Sequence, residues 1–322
     1  LLTIHRSLLT FKKNMNILIL GGSGFVGRAI CSKLASAGHS ITVPTRKRDN
    51  ARAVYLLPTV TVIEADPSDV ATLTQIARGH DAVINLIGIL NGDFERAHVT
   101  FTETAIAACK AAGVSRYVHM SALGASADGP SKYQKSKAKA EALVRASGLD
   151  ATIFAPSVIF GRGDSFLTKF ANMVGLLPPL MPMVLPGASA QFQPVWVDDV
   201  ARAFVNCLTD ESTFGQRYEL VGPKVYTLRE LVAYVMALAH DKHMIIGLPG
   251  FVSSMLAGIL QFVPTKPLTP DNVKSMSVPN VSSAEFPAFA GVRSSVEDVV
   301  PGYLGHSASF DEFAVAREKA GH

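Results

Sequence analysis

The chain has 322 residues, 48% of them apolar and 17% charged, which suits one large α/β domain or two moderate ones and excludes a disordered protein. Its net charge of +4 sits mostly at the start: residues 1–14 hold Arg6, Lys12 and Lys13 and no acid. The rest carries about +1, too little to attract nucleic acid. Cys31, Cys109 and Cys207 are far apart and lack metal or redox spacing, so they read as buried free thiols in a reducing compartment.

In chain order, residues 1–14 stand apart from the fold. Two readings remain open for them. They are an organelle transit peptide, placing the protein on the mitochondrial matrix side, or an upstream extension of a cytoplasmic chain that starts at Met15. From Met15, strands alternate with helices. Strands are expected at Asn16–Leu20, Ser40–Val43, Thr61–Glu64, Ala82–Ile87, Arg116–Met120 and Ala151–Phe154. Helices are expected from the glycine turn to about Ala37, over Thr100–Ala112 ending at Gly113, and over Lys132–Ser147. Apolar strands separated by helices predict a doubly wound parallel α/β sheet, a Rossmann domain over 15–156.

After Pro156 the alternation gives way to proline-rich loops. A small C-terminal cap is expected over 157–190 and 215–322, with about 191–214 returning to the Rossmann domain. There, Val195–Leu208 reads as a strand end and a helix opened by Asp198-Asp199. Thr227–Ala239 reads as a helix capped by Thr227 and Glu230. Phe170–Val197 is uncharged but broken by five prolines, and Met244–Val263 is interrupted by glycines, Pro249 and Gln261, so no transmembrane helix is predicted. The second segment reads as folded on the cap or lying on a membrane surface or partner.

Gly21-Gly22-Ser23-Gly24-Phe25-Val26-Gly27 follows a strand and opens a helix. The first glycine allows the tight turn, the second lets a pyrophosphate approach the backbone, and the third lets helix and strand pack closely. Phosphates face the helix N-terminus, so this is a nicotinamide dinucleotide site. After the second strand an NAD enzyme offers a carboxylate to the ribose hydroxyls. This chain has Thr45-Arg46-Lys47-Arg48, whose cations favour a 2′-phosphate and hence NADP(H) over NAD(H). Asp66 is placed to accept from the adenine amino group, and Leu86-Ile87-Gly88 to pass close to the adenosine side.

Tyr133 and Lys137 are one helical turn apart and share a face. A free phenol titrates near about 10. The Lys137 ammonium and an oxidised nicotinamide are expected to lower that value, so that Tyr133 exchanges a proton with a carbonyl or alcohol. Lys137 also reaches the nicotinamide ribose. Weaker candidates are discounted. His240 and His243 lack a third ligand and read as an exposed helix end, leaving no metal site. His119, inside an apolar strand, reads as a satisfied core histidine.

Together these residues resemble the extended or atypical short-chain dehydrogenase/reductase superfamily, which includes NAD-dependent epimerases and dehydratases. Within it the chain is similar to the group containing the NADPH-binding accessory subunit of respiratory complex I and its bacterial relatives. Asp81–Gly88, Tyr117–Gly124, Ala155–Phe166, Phe192–Ala201, Gly222–Val232 and Pro267–Lys274 carry that likeness. The resemblance adds Ser121 to the catalytic candidates and Pro156 to the cofactor-binding ones. It departs at two places: Ala122 occupies the usual hydroxyl position, leaving Ser121 one place early, and Ala155 replaces an arginine. Ser126 or Ser131 are candidate substitutes for the missing hydroxyl. A substrate would sit near Ser121, Tyr133, Ser157 and Phe160.

Three functions follow. One is an NADP(H)-dependent oxidoreductase with slow or narrow hydride transfer to a lipophilic carbonyl or quinone-like substrate. Another is a cofactor-loaded structural or assembly subunit of complex I, peripheral at the inner membrane. The third is a nucleotide-sugar epimerase or dehydratase.

Overall fold

A computed structural model describes residues 14–178, 181–241, 243–248, 252 and 269–304. The first half builds β1 (Asn16–Leu20), α1 (Phe25–Ser36), β2 (Ser40–Thr45), α2 (Arg52–Tyr55), β3 (Val60–Glu64), α3 (Val70–Ala77) and β4 (Ala82–Asn85). A π-helical turn, Glu95–Thr100, then runs into α4 (Phe101–Ala112). β5 (Arg116–Met120), α5 (Lys132–Arg145) and β6 (Asp150–Pro156) follow. Strands β1, β4, β5 and β6 are almost wholly buried because helices cover both faces. Ile17, Ile19, Ile84, Val118 and Phe154 pack on the α1 side, and Leu18, Leu20, Val83, Tyr117 and Ile153 on the α3–α4 side.

The second half contributes β7 (Ile159–Phe160), α6 (Leu167–Gly175), β8 (Met183–Pro186), β9 (Gln191–Phe192), β10 (Val195–Trp196) and α7 (Val197–Asn206). Then come β11 (Arg217–Leu220), β12 (Tyr226–Thr227), α8 (Leu228–Leu238), β13 (Ile245–Leu248), α9 (Pro270–Met276), α10 (Val296–Val299) and α11 (Pro301–Leu304). The central sheet has seven strands in the order β11-β6-β5-β4-β1-β2-β3, and every pairing is parallel. The order reverses between β1 and β4, so a crevice opens beyond their C-terminal ends.

Several expectations shift by residues. β4 ends at Asn85 rather than Ile87, because the Asn85 side chain takes the Ile87 N–H at 3.0 Å. β2 runs on to Thr45, and β6 covers Asp150–Pro156. The sheet also extends beyond residue 214, since β11 pairs with β6 in register Arg217↔Ile153 to Leu220↔Pro156. Asp198 and Asp199 do open α7, as expected, but each has its own task. Asp198 pairs with Lys33 at 3.0 Å, whereas the fully buried Asp199 holds Arg202 and the Ser294 N–H. The Thr227–Glu230 capping box is present.

The cap core gathers Phe160, Leu167, Met183, Leu185, Leu231, Val232 and Val235 around three two-stranded sheets. All three cysteines are buried and free. No helix among the described residues is long and apolar enough to cross a membrane. Residues 1–13, and 249–268 apart from Val252, lie outside the described residues, so the readings placed on them stay untested. Of the Met244–Val263 segment, Ile245–Leu248 is described and forms β13 against β8.

A dinucleotide crevice and a tyrosine–lysine pair

The glycine turn is built as the spacing requires. Gly21 has φ +84°, open to glycine at little cost. A Cβ on Gly27 would lie 2.4 Å from the Gly21 carbonyl oxygen, and one on Gly22 2.7 Å from Val43, so neither position accepts a side chain. Gly24 is the N-cap of α1, with no side-chain cap and no acid in the first turn. In contrast α5, α8 and α9 all carry side-chain capping boxes. The orphan N–H groups and dipole of α1 are thus left for an anion from outside the protein. The structure fits a dinucleotide at this turn.

Leu86 and Ile87 lie beside it, packed against Gly21, while Gly88 lies beside Lys137, whose Nζ would be 3.0 Å from a Cβ there. Ser23 is half-buried, Phe25 packs on the core, and Val26 is buried within it. Thr45 is buried, its hydroxyl donating to the Lys47 carbonyl at 3.0 Å. Pro156 closes β6, its carbonyl accepting from the Leu123 N–H at 2.9 Å. Asp66 Oδ1 accepts from the Ser68 N–H and hydroxyl at 3.0 and 2.8 Å. Those bonds, with help from Arg46 and Arg96, hold its carboxyl below the usual range. Arg48 lies over Tyr55 and Arg52 pairs with Asp49, but Arg46 has no ion pair among the described residues.

Tyr133 and Lys137 project from α5 toward the same crevice. Lys137 is buried, and its Nζ donates to the Met120 carbonyl at 3.1 Å. Burial pushes its ammonium down to about 8, partly opposed by Glu141. The half-buried Tyr133 ring sits edge-on to Phe94 and His98, at centroid distances of 5.9 and 5.6 Å. Here the sequence expectation is reversed. Burial pushes the phenol up to about 12, and the Lys137 ammonium, which could oppose that, is directed at the Met120 carbonyl instead.

Four further readings change with the geometry. Ser131 is fully buried as the N-cap of α5, hydrogen-bonded with Gln134 and Ser275, so it cannot replace the missing hydroxyl. Ser157 donates to Asn280 at 2.6 Å and Phe160 is sealed in the cap core, so neither lines an open substrate site. His119 is a core residue, but neither ring nitrogen has a partner, and burial and the nearby Lys137 push its pKa down to about 3. Ser121 is buried on the same strand face, and its hydroxyl is likewise unpartnered. His243 bonds Asp241 at 2.6 Å and the Pro178 carbonyl at 3.0 Å. Ser126 is exposed.

Three contributors to the crevice are not among the individual site candidates, although Asn85 and Asp271 lie within segments that carry the family likeness. Asn85 receives the Ile87 N–H and donates to the buried Tyr117 hydroxyl at 2.9 Å, which shapes the loop after β4. Asp271 of α9 accepts the N–H groups of Lys132 and Tyr133 at 2.7 and 3.1 Å, placing a cap carboxylate on the first turn of α5. His98 sits between the loop and the helix.

A domain described as NAD(P)H-binding matches residues 21–166. Over 278 residues the chain is 34% identical to "NADH dehydrogenase [ubiquinone] 1 alpha subcomplex subunit 9, mitochondrial" of Mus musculus, covering 84% of this chain and 73% of the mouse protein. The chain belongs to that subunit's family. It is an NAD(P)-binding protein of the short-chain dehydrogenase/reductase-like fold, as the resemblance implied. It is also 29% identical over 188 residues to the "4-hydroxy-2-methyl-3-oxo-4-farnesyl-3,4-dihydroquinoline-1-oxide ketoreductase" of Stigmatella aurantiaca, covering 50% of this chain and 55% of that enzyme. Among solved structures, a nucleoside-diphosphate-sugar epimerase from Staphylococcus aureus superposes with a TM-score of 0.69. That match covers 87% of this chain and 98% of the epimerase at 17% identity, a likeness of fold alone.

Proposed function

We propose that this family member is an NADP(H)-dependent oxidoreductase with slow or narrow turnover of a lipophilic carbonyl or quinone-like substrate. The observation that carries the reading is the convergence of Tyr133 and Lys137 with Gly88 at the crevice where the strand order reverses. The turn from Gly21 to Gly27 and α1 would hold the pyrophosphate, Arg46 the 2′-phosphate, and Lys137 the nicotinamide ribose. A bound reduced nicotinamide supplies the hydride. Tyr133 keeps its proton through the physiological range and gives it to the carbonyl oxygen, so the site suits reduction better than oxidation. A donor held near about 12 is a weak acid, and Ala122 provides no hydroxyl to polarise the carbonyl. Losing one such donor typically costs about 10²–10³ in rate, hence slow turnover. The similar ketoreductase acts, by its name, on a farnesylated ketone, which supports a lipophilic substrate.

A second reading has its own support. Met173, Leu176, Met181, Val184, Met244 and Ile246 are exposed apolar residues of the cap, and β8–β13 pairing sets Val184 opposite Ile246. With the similarity to a mitochondrial complex I subunit, this favours a cofactor-loaded subunit that joins a respiratory complex at the membrane surface, on the matrix side.

Stopped-flow NADPH oxidation across aldehydes, ketones and quinones separates the two. The oxidoreductase reading expects a substrate whose turnover disappears in Tyr133→Phe while NADPH affinity stays within a few-fold. Undiminished turnover in that variant excludes Tyr133 as proton donor. NADPH that co-purifies without turnover on any panel member favours the subunit reading.

A further inference from the structure

We propose that His98 is a positioning residue that locks the Tyr133 phenol in its orientation and ties it to the loop that would carry the cofactor. The proposal rests on the reading of Tyr133 as the reacting group, but its geometry is independent of turnover.

Ile89, directly after the Leu86-Ile87-Gly88 loop, donates its N–H to His98 Nε2 at 3.0 Å. That acceptor role assigns the ring proton to Nδ1, which therefore donates to Ser136 Oγ at 2.8 Å. Ser136 in turn donates to the Tyr133 carbonyl at 2.8 Å. The chain of bonds runs unbroken from the loop after β4 to the backbone of Tyr133. His98 is 1% exposed, so each bond lies where an unmade partner is costly.

The ring also supports Tyr133 from the side. His98 stacks on Phe94 at 5.6 Å, and both rings stand edge-on to the phenol. A backbone feature makes this grouping. Residues Glu95–Thr100 form a π-helical turn, a rare conformation frequent at functional sites, and it brings His98 toward α5. The Thr102 hydroxyl closes the turn onto the His98 carbonyl at 2.6 Å.

The titratable groups facing His98 are Tyr133, Lys137 and His119. Burial, followed by repulsion from Lys137, pushes His98 down to about 3. It therefore remains neutral beside the ammonium and keeps the single tautomer that the bond chain requires. A protonated imidazole would lose the Ile89 bond and repel Lys137. His98 thus acts as a fixed dipole with one donor and one acceptor.

The test labels the protein with 3-fluorotyrosine and follows Tyr133 by fluorine NMR, its signal assigned by its absence in Tyr133→Phe. In His98→Ala the Tyr133 signal should move and broaden, and its titration midpoint should fall by about one unit as water enters. NADPH affinity should weaken roughly five-fold, the worth of about one hydrogen bond. His98→Gln can still accept from Ile89 and donate to Ser136, so it should recover both properties. Ser136→Ala, which removes one hydroxyl and leaves the core filled, should give an intermediate shift even if His98→Ala fails to fold. An unchanged Tyr133 signal and midpoint in folded Ser136→Ala or His98→Ala overturns the proposal. Failure of Tyr133→Phe to alter turnover would instead overturn the proton-donor reading and leave these NMR outcomes standing.

Discussion

At Gly27 the constraint is steric before it is functional. An added methyl would meet the Gly21 carbonyl oxygen at 2.4 Å and Gly22 Cα at 2.6 Å, so α1 must back away from β1. Gly27→Ala should therefore lower the melting temperature by several degrees and weaken NADPH binding at least about a hundred-fold, since backbone must move. Gly175→Ala is the control: its Cβ meets nothing within 4 Å, and helix α6 should be unchanged or slightly firmer. Thermal melts with NADPH titration distinguish them, and equal behaviour of the two variants would contradict this account. The glycines and the Tyr133–Lys137 spacing were readable from sequence because they are local patterns. The direction of the Tyr133 shift was not, because it depends on which atoms surround the ring and where Nζ points. His119 and Ser131 were misjudged for the same reason: a side chain's partners come from distant chain segments.

Helix α5 shows how one element is held from two sides. Its own capping box closes the N-terminus from within, and Asp271 adds a carboxylate from the cap. Asp271→Ala should cost about 1 kcal/mol, as loss of a helix-cap contact does, seen as a melting temperature a few degrees lower. NADPH affinity should change little, because the glycine turn is untouched; a ten-fold loss would show that the cap contact also shapes the cofactor site. A second element-level anchor is Arg116, buried between the Cys207, Leu208 and Asp150 carbonyls. Arg116→Met leaves those acceptors unmet and should destabilise by roughly 2–4 kcal/mol in a denaturant melt. A change below about 0.5 kcal/mol would contradict that assignment. β11 escaped the sequence reading for a physical reason. As an edge strand it is only half-buried, and RYEL carries two charges that pair with Glu141 and with each other, hiding the apolar signature of the inner strands. The inner strands were legible because both their faces are covered.

For the whole molecule, His98 and His119, buried and neutral, predict an acid-sensitive fold. His98 and His119 are both held near about 3, well below an unfolded histidine near about 6.5. The unfolded chain therefore binds more protons as the pH falls, and stability is lost progressively from about 6.5 toward about 3, at up to roughly 1.4 kcal/mol per pH unit for each group. Melting temperature should fall steeply as the pH is lowered from about 7, with a shallower fall in His119→Phe, which keeps the stacking on Tyr117. A melting temperature that stays constant between pH 7 and 4.5 would contradict this. Composition could not reveal that residues late in the chain, Ala290 and Ser294, return to bond Arg202 and Asp199 of α7.

The proposed preference for NADP(H) in the crevice after β1, β2 and β4 rests on Arg46. Isothermal titration calorimetry of the unmodified protein and of Arg46→Asp, each with NADPH and NADH, tests it most directly. A charge-assisted phosphate contact is worth about 1.5–3 kcal/mol, so NADPH should bind the unmodified protein about ten-fold or more tightly than NADH. Arg46→Asp should narrow or reverse that preference. Equal affinities in the unmodified protein, or a preference that Arg46→Asp leaves intact, would contradict the account.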